Sequence, residues 1–276
     1  MKAFNDGSNI VYASGPELII KIFPPFHRHQ FISERTVLAH HTTMPDVEIP
    51  QLVAEGELED WRYAIISKVD GVTLNHVWSK MDRVNRIEEM ARLGRIVRGV
   101  HSLDVNGMEA IDPNWPEFIE KQKAGCRTRQ IRTGLPSHLL DQLDDFLDSV
   151  VIPTDQTSTL LLSEFTPTNL MMQEIGGSWR ITGLIDFGDA LLGFHEYDLL
   201  GPTLFSTAGD GELNQAFFEG YGLSREQIND AFVKRLMAFS LLHLYSDLGN
   251  QIAVAGWQEE DSFPDIARLI WTPQCK

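Results

Sequence analysis

The chain has 276 residues, 23 Lys and Arg against 39 Asp and Glu, a formal charge of −16 and 43 % hydrophobic residues. That length supports one large or two medium domains with a sizeable core, and the apolar share excludes a disordered or collagen-like chain. The acidity argues against a nucleic-acid partner, whose phosphates call for a Lys/Arg surplus, and suits a cationic small molecule.

The first seventy residues read as β-rich. Residues 9–13 and 17–23 are β-branched runs around the turn Ser14-Gly15-Pro16, a hairpin signal. Pro24-Pro25 stops the second run, and a helix is expected over residues 30–41. Residues 49–56 and 62–69 are expected strands, with Asp70-Gly71 as the next turn. After Gly71 the period changes. Ile87, Met90, Ala91, Gly94, Val97 and His101 make a helical stripe over 84–101. Further helices are expected over 115–125 and 138–150. A compact β insertion follows at 159–162, 170–173 and 179–185, turning at Ile175-Gly176-Gly177-Ser178. Helices over 213–221, 225–251 and 264–271 complete the chain. Residues 236–245 are apolar nearly all round, the pattern of a buried helix, and too short to cross a bilayer.

Cys126 and Cys275 form no disulfide framework or CxxC zinc pair, and the N-terminus carries no apolar leader, so a reduced, cytoplasmic location is expected. His27, His29, His40 and His41 lack acid partners at metal-ligand spacing and read as surface or packing residues. Asp141, Asp144, Asp145 and Asp148 read as a solvated helix face.

The strongest local signal is Glu164-Phe165-Thr166-Pro167-Thr168-Asn169, then a hairpin, then Ile185-Asp186-Phe187-Gly188-Asp189. An acid, an Asn five residues on, and an Asp beyond two strands is a phosphoryl-transfer layout. The acid takes the acceptor hydroxyl proton, while the Asn and Asp oxygens hold Mg²⁺ on the nucleotide phosphates. Asn169 and Asp186 fall at strand ends on one edge of the hairpin. Lys21 in the second strand precedes Glu34, which lies with Phe31 and Leu38 on the apolar face of the first helix. A carboxylate there needs a partner, and Lys21 is the natural one.

These motifs resemble the aminoglycoside phosphotransferase family, small-molecule kinases of the protein-kinase-like fold. Its His-Gly-Asp-x-x-x-x-Asn loop aligns with Leu162-Ser163-Glu164 through Asn169, and its Ile-Asp-Phe strand end with Ile185-Asp186-Phe187. Its Gly-x-x-x-Tyr-Asp-Leu segment aligns with Gly193 through Leu199. The resemblance covers nearly the whole chain and implies an α+β, two-lobed fold. Residues 1–70 would form a small β-rich nucleotide-binding lobe, and 71–276 a larger, mostly helical lobe with the catalytic loop, metal site and acceptor pocket.

The resemblance also implies roles. Glu164 would be the catalytic acid-base group. Lys21 and Glu34 would form the phosphate-binding pair, and Asn169 and Asp186 would hold Mg²⁺. Gly7, Ser8 and Asn9 would form a phosphate loop, although no G-x-G-x-x-G is present. Ile66, Ser67 and Val69 would line or hinge the adenine pocket, and Asp198 would brace the catalytic loop. Asp189, Glu259, Glu260 and Asp261, the last three beside Trp257, are candidates to contact the acceptor. ATP and GTP are both open as donor, and so is the oligomeric state. The acceptor would be a small cationic molecule, most simply an aminoglycoside, giving antibiotic resistance; amino alcohols, amino acids, ketoamines and other antibiotics lie within reach of the same scaffold.

The departure is the loop itself. Glu164 stands where the family has Asp, one methylene longer, and displacement of a reacting group by about 1 Å can cost roughly a hundredfold in rate. A nucleotide-binding pseudoenzyme is therefore the competing reading, and a protein acceptor a third, disfavoured by the lack of an Ala-Pro-Glu-type segment.

Overall fold

The computed structural model describes residues 2–4, 9–156 and 158–272, the side chains from residue 9 onward. The described residues pack into two compact units. The first gathers residues 1–81, 103–112 and 162–191; the second holds 82–102, 113–161 and 192–276.

The first unit contains a five-stranded sheet in the order β1-β2-β3-β5-β4. Its strands are β1 (Lys2–Phe4), β2 (Ile10–Ser14), β3 (Leu18–Phe23), β4 (Leu52–Leu58) and β5 (Trp61–Ser67), all antiparallel to their neighbours. The expected hairpin is β2–β3, in register Val11 to Lys21, with Gly15 at φ 72° in its turn. Helix α1 (Arg28–His40) follows a 3₁₀ turn at Pro25–His27 and buries Gln30, Phe31, Glu34, Val37 and Leu38. Proline fits such a first turn because its missing N–H has no intrahelical partner there. Phe23 and Phe31 meet edge-to-face, centroids 5.6 Å apart, which fastens α1 to β3.

A second sheet of the same unit runs β6 (Val72–Thr73), β8 (Leu170–Ile175), β9 (Ser178–Leu184). The β8–β9 turn puts Gly176 and Gly177 at φ 62° and 84°, where a side chain is disfavoured. The segment before β4 bonds to this hairpin: Glu48 N–H donates to Thr182 O at 2.8 Å, and Leu184 N–H to Glu48 O at 2.9 Å. These ladders explain why the unit extends past residue 70. They tie β6 and the hairpin to the N-terminal residues.

The short helix α2 (Leu74–Val77) closes that stretch, and α3 (Arg83–His101) opens the second unit, its first turn capped by Asp82. The second unit adds α4 (Trp115–Arg132), α5 (Ser137–Leu140), α6 (Leu143–Ser149), β7 (Thr159–Leu161) and β10 (Leu191–Gly193). It ends with α7 (Gly211–Tyr221), α8 (Asp230–Leu242), α9 (Leu248–Gln251) and α10 (Phe263–Trp271). Helices α3 and α7 touch backbone to backbone: a Cβ on Gly94 would strike Phe217 O, and one on Gly220 would strike Ala91 O. The second half of α8, from Leu236 on, is buried all round, as its sequence implies, with Leu236, Met237, Phe239, Leu241 and Leu242 each at 0 % exposure.

Two expected helices are shorter or broken. The run 225–251 starts only at Asp230, because Asn229 caps the N–H groups of Ala231 and Phe232. It stops at Leu242, where His243 turns to ψ 143° and the Leu244 N–H goes to the Tyr197 hydroxyl at 3.0 Å instead of to the helix. The run 138–150 splits between α5 and α6; there the side chains of His138 and Gln142 bond the backbone carbonyls of Glu260 and Asp261. At the end of α8 a side chain from distant sequence takes a backbone N–H that would otherwise continue the helix. Among the described residues no helix is long and apolar enough to cross a membrane.

Candidate active site

The site is built within the first unit. Lys21 projects from β3 with its ammonium 2.5 Å from Glu34 Oε2 on α1 and 2.8 Å from Asp186 Oδ1 beyond β9. The Lys21 and Glu34 side chains are 6 % and 1 % exposed, while that of Asp186 is 43 % exposed. A buried charge survives only if paired. Burial works to lower the Lys21 pKa, but the carboxylates of Glu34 and Asp186 outweigh it and hold the ammonium charged. Burial pulls the Asp186 carboxyl upward, and Lys21 more than reverses that, keeping it below the usual range. Asp186 therefore stays an anion and directs its exposed side outward.

Asp186 has φ 67°, a left-handed conformation unusual for a residue with a side chain. Its Oδ1 also accepts from Gly188 N–H at 3.4 Å. Phe187 next to it is fully buried and anchors the turn. Strain held in place by packing is a recurrent mark of functional loops.

Asn169 ends the loop before β8. Its carbonyl accepts Ile185 N–H at 3.0 Å, so the residue before Asp186 is pinned to it. Its side-chain amide donates to Glu164 O at 3.2 Å and Oε2 at 3.3 Å, which turns the amide oxygen away from Glu164. The hairpin thus brings Glu164, Asn169 and Asp186 to one edge, as their spacing implies. Burial raises the Glu164 carboxyl to about 7, helped by Asp189 and Asp186 and opposed by the Asn169 amide and Lys21. A carboxyl tuned near neutrality is suited to exchanging a proton. Ser163 before it sits at φ 63°, and Leu162 is buried at 4 % exposure; the backbone keeps a glycine-like bend where the sequence has serine.

A second chain of contacts was not legible in the motifs. Gln30, 4 % exposed and one helical turn before Glu34, accepts from Asn9 Nδ2 at 2.8 Å. It donates to the Asp189 carboxylate at 3.2 and 3.3 Å. Asn9 Oδ1 in turn meets His27 Nδ1 at 3.2 Å. The i, i+4 spacing of Gln30 and Glu34 was the available signal. Gly7 and Ser8 lie outside the described residues, as does Cys275.

The proposed adenine segment is also in the first unit. Ile66 and Val69 are buried at 4 % each. Ser67 N–H donates to Gln51 O, and Ser67 Oγ accepts from Gln51 N–H. Val69 packs on Gly183, where a Cβ would come within 2.5 Å of Val69 Cγ1. Asp198, Glu259, Glu260 and Asp261 belong to the second unit. There Asp198 is 1 % exposed and bonded to His101 Nε2 at 3.1 Å, while Glu259 and Asp261 are exposed.

Among the described residues no cluster of three or more His, Cys, Asp or Glu has metal-holding geometry. Asn169 and Asp186 offer one amide oxygen and one carboxylate. Such a set fits Mg²⁺, which keeps water and phosphate as most of its ligands.

A family model described as the phosphotransferase enzyme family matches residues 3–233. The chain belongs to that family. Solved structures share its fold at low identity. The GDP complex of wild-type aminoglycoside 2′-phosphotransferase-IIIa aligns with TM-score 0.68 and 17 % identity over 98 % of this chain and 90 % of that one. The streptomycin–ATP ternary complex of APH(2″)-IIa gives 0.61 and 14 % over 95 % and 92 %. A thermostable mutant of APH(4)-Ia in its apo form gives 0.63 and 18 % over 97 % and 93 %. The phosphotransferase has the kinase-like fold of these enzymes, with a small β-sheet region at its N-terminal end and a helical C-terminal region.

Proposed function

We propose that the protein moves the γ-phosphoryl group of ATP or GTP to a hydroxyl of a small, cationic molecule, with an aminoglycoside as the first acceptor to try. The observation that supports this best is that one packed unit holds Lys21 bound to Glu34 and Asp186, and Asn169 bound to Glu164, with the Ile185 N–H joining the two groups through the Asn169 carbonyl. Mg²⁺, held by Asn169 and Asp186, would neutralise charge on the nucleotide phosphates. Lys21, kept charged by Glu34 and Asp186, contacts the phosphates. Glu164 orients the acceptor hydroxyl and accepts its proton, and its raised pKa of about 7 keeps it competent near neutral pH. Backbone groups around Ser67 to Val69, with Ile66 behind them, receive the base, and the segment at Asn9 covers the phosphates. Glu259, Glu260 and Asp261 are assigned to the acceptor's ammonium groups, in keeping with the −16 charge.

The similar proteins bind nucleotides and antibiotics in the structures described: ATP and streptomycin, or GDP. Mass spectrometry of hydroxylated cationic compounds incubated with the protein, ATP, GTP and Mg²⁺ tests the reading. A mass gain of one phosphoryl group, abolished in Glu164→Gln and partly kept in Glu164→Asp, is the expected result. Nucleotide binding with no transfer to any compound would establish a binding protein instead; full activity of Glu164→Gln would remove Glu164 from the chemistry.

A further inference from the structure

Helix α1 reaches the Asp186–Asp189 turn twice. One arm is ionic: Glu34 to Lys21 to Asp186. The other is an amide: Gln30, buried one turn earlier on the same face, donates to Asp189 and accepts from Asn9. A glutamine is suited to this bridge because its two ends have opposite polarity, one matching an amide donor and one a carboxylate. The fit is close, since a Cβ on Gly188 would come 3.3 Å from Gln30 Cβ and 3.4 Å from Asp186 Oδ1. Gln30 therefore packs directly on the turn that carries both aspartates. Side-chain bonds to a charged carboxylate are stronger than neutral ones, and a buried partner lost from such a bond is costly.

We propose that Gln30 is a positioning residue that fixes the Asp189 carboxylate beside Asp186 and so sets how strongly the site takes Mg²⁺ together with nucleotide. Asp189 would act on the hydrated cation, and Gln30 holds its carboxylate in place while Asn9 links the same amide to the segment before β2. This places Asp189 on the cation side of the site rather than with the acceptor. The proposal rests on the nucleotide-binding reading above.

The test measures binding of a fluorescent ADP analogue across a MgCl₂ titration, with thermal unfolding as a control for folding. Gln30→Leu removes both arms. Gln30→Glu keeps an acceptor for Asn9 but opposes a carboxylate to Asp189, so it separates them. Both variants are expected to raise the Mg²⁺ concentration at half-maximal binding by about tenfold, the loss of one hydrogen bond to a charged group. Gln30→Glu is expected to be the more affected. In an Asp189→Asn background the added effect of Gln30→Leu shrinks below about twofold, because residues that act through one another are not additive. Equal effects in both backgrounds overturn the proposal, as does a lowered melting temperature with an unchanged Mg²⁺ titration. Wild-type protein that binds no nucleotide at any Mg²⁺ concentration overturns the nucleotide-binding reading and this one with it; wild-type binding with indifferent variants overturns this one alone.

Discussion

Replacing Glu164 by Gln should make the protein more stable at alkaline pH while it loses activity. The carboxyl is pushed from 4.5 to about 7, first by burial and then by Asp189 and Asp186. The sign follows from proton linkage. Between those two values the folded chain holds a proton that the unfolded chain has released, so stability falls as pH rises through the window and stays low above it. At roughly 1.4 kcal/mol per pKa unit the full penalty is about 3 kcal/mol. Partial exposure and relaxation of the loop reduce this to an expected gain of about 2 kcal/mol for the neutral amide. For a chain of this size that is about 4 °C in melting temperature. Gln keeps an oxygen to accept from the Asn169 amide, so the geometry of the loop is retained. Thermal unfolding of both proteins from pH 4 to pH 8.5 reads the effect. The curves should coincide near pH 4 and separate above pH 7, the variant higher. A variant that is no more stable at pH 8, or a gap that does not close on acidification, would refute the reasoning.

The same titration predicts that kcat/KM for the nucleotide rises about tenfold from pH 6 to pH 8 in wild type, as the Glu164 base form fills, with a pH–rate assay as the check. Lys21→Met leaves the buried Glu34 without its cation and should cost about 3 kcal/mol by chemical denaturation, with loss of transfer; Lys21→Arg should not rescue it, because the buried slot fits an ammonium. Ser163→Gly should raise the melting temperature, by about 1 kcal/mol of relieved left-handed backbone, with activity intact. Gly94→Ala should destabilise the second unit by about 2 kcal/mol or more in denaturant, since its methyl meets the Phe217 carbonyl across α3 and α7.

Periodicity and turn residues were enough to place the β2–β3 hairpin, α1, α3 and the β8–β9 hairpin, because each is decided by its local hydrophobic period and, in all but α3, by Gly or Pro at a turn or end. They failed where contacts with distant sequence decide how far a helix runs. The Tyr197 hydroxyl ends α8, and the bonds of His138 and Gln142 to the carbonyls of Glu260 and Asp261 accompany the split of 138–150. Nothing local marks such a stop. The same division runs through the site. Glu34 on the apolar face of α1 required a cation on energetic grounds, and Lys21 was available, so that pair could be argued before any coordinates. The Asn169 and Asp186 spacing around one hairpin likewise follows from β geometry.

By itself, then, the sequence determined the main hairpins and longer helices, the family motifs and the Lys21–Glu34 pair, because these depend on local pattern and on the cost of burying a lone ion. Only the tertiary structure decided that Lys21 bridges to Asp186 as well as to Glu34, and that the Glu164 carboxyl is raised by its neighbours. Only it shows that Gln30 ties Asn9 to Asp189. Each of those depends on residues more than a hundred positions apart, or on burial that no single stretch of chain records. Hydrogen bonds and desolvation are set by what the fold places within about 3 Å, and sequence spacing fixes that distance only inside one element.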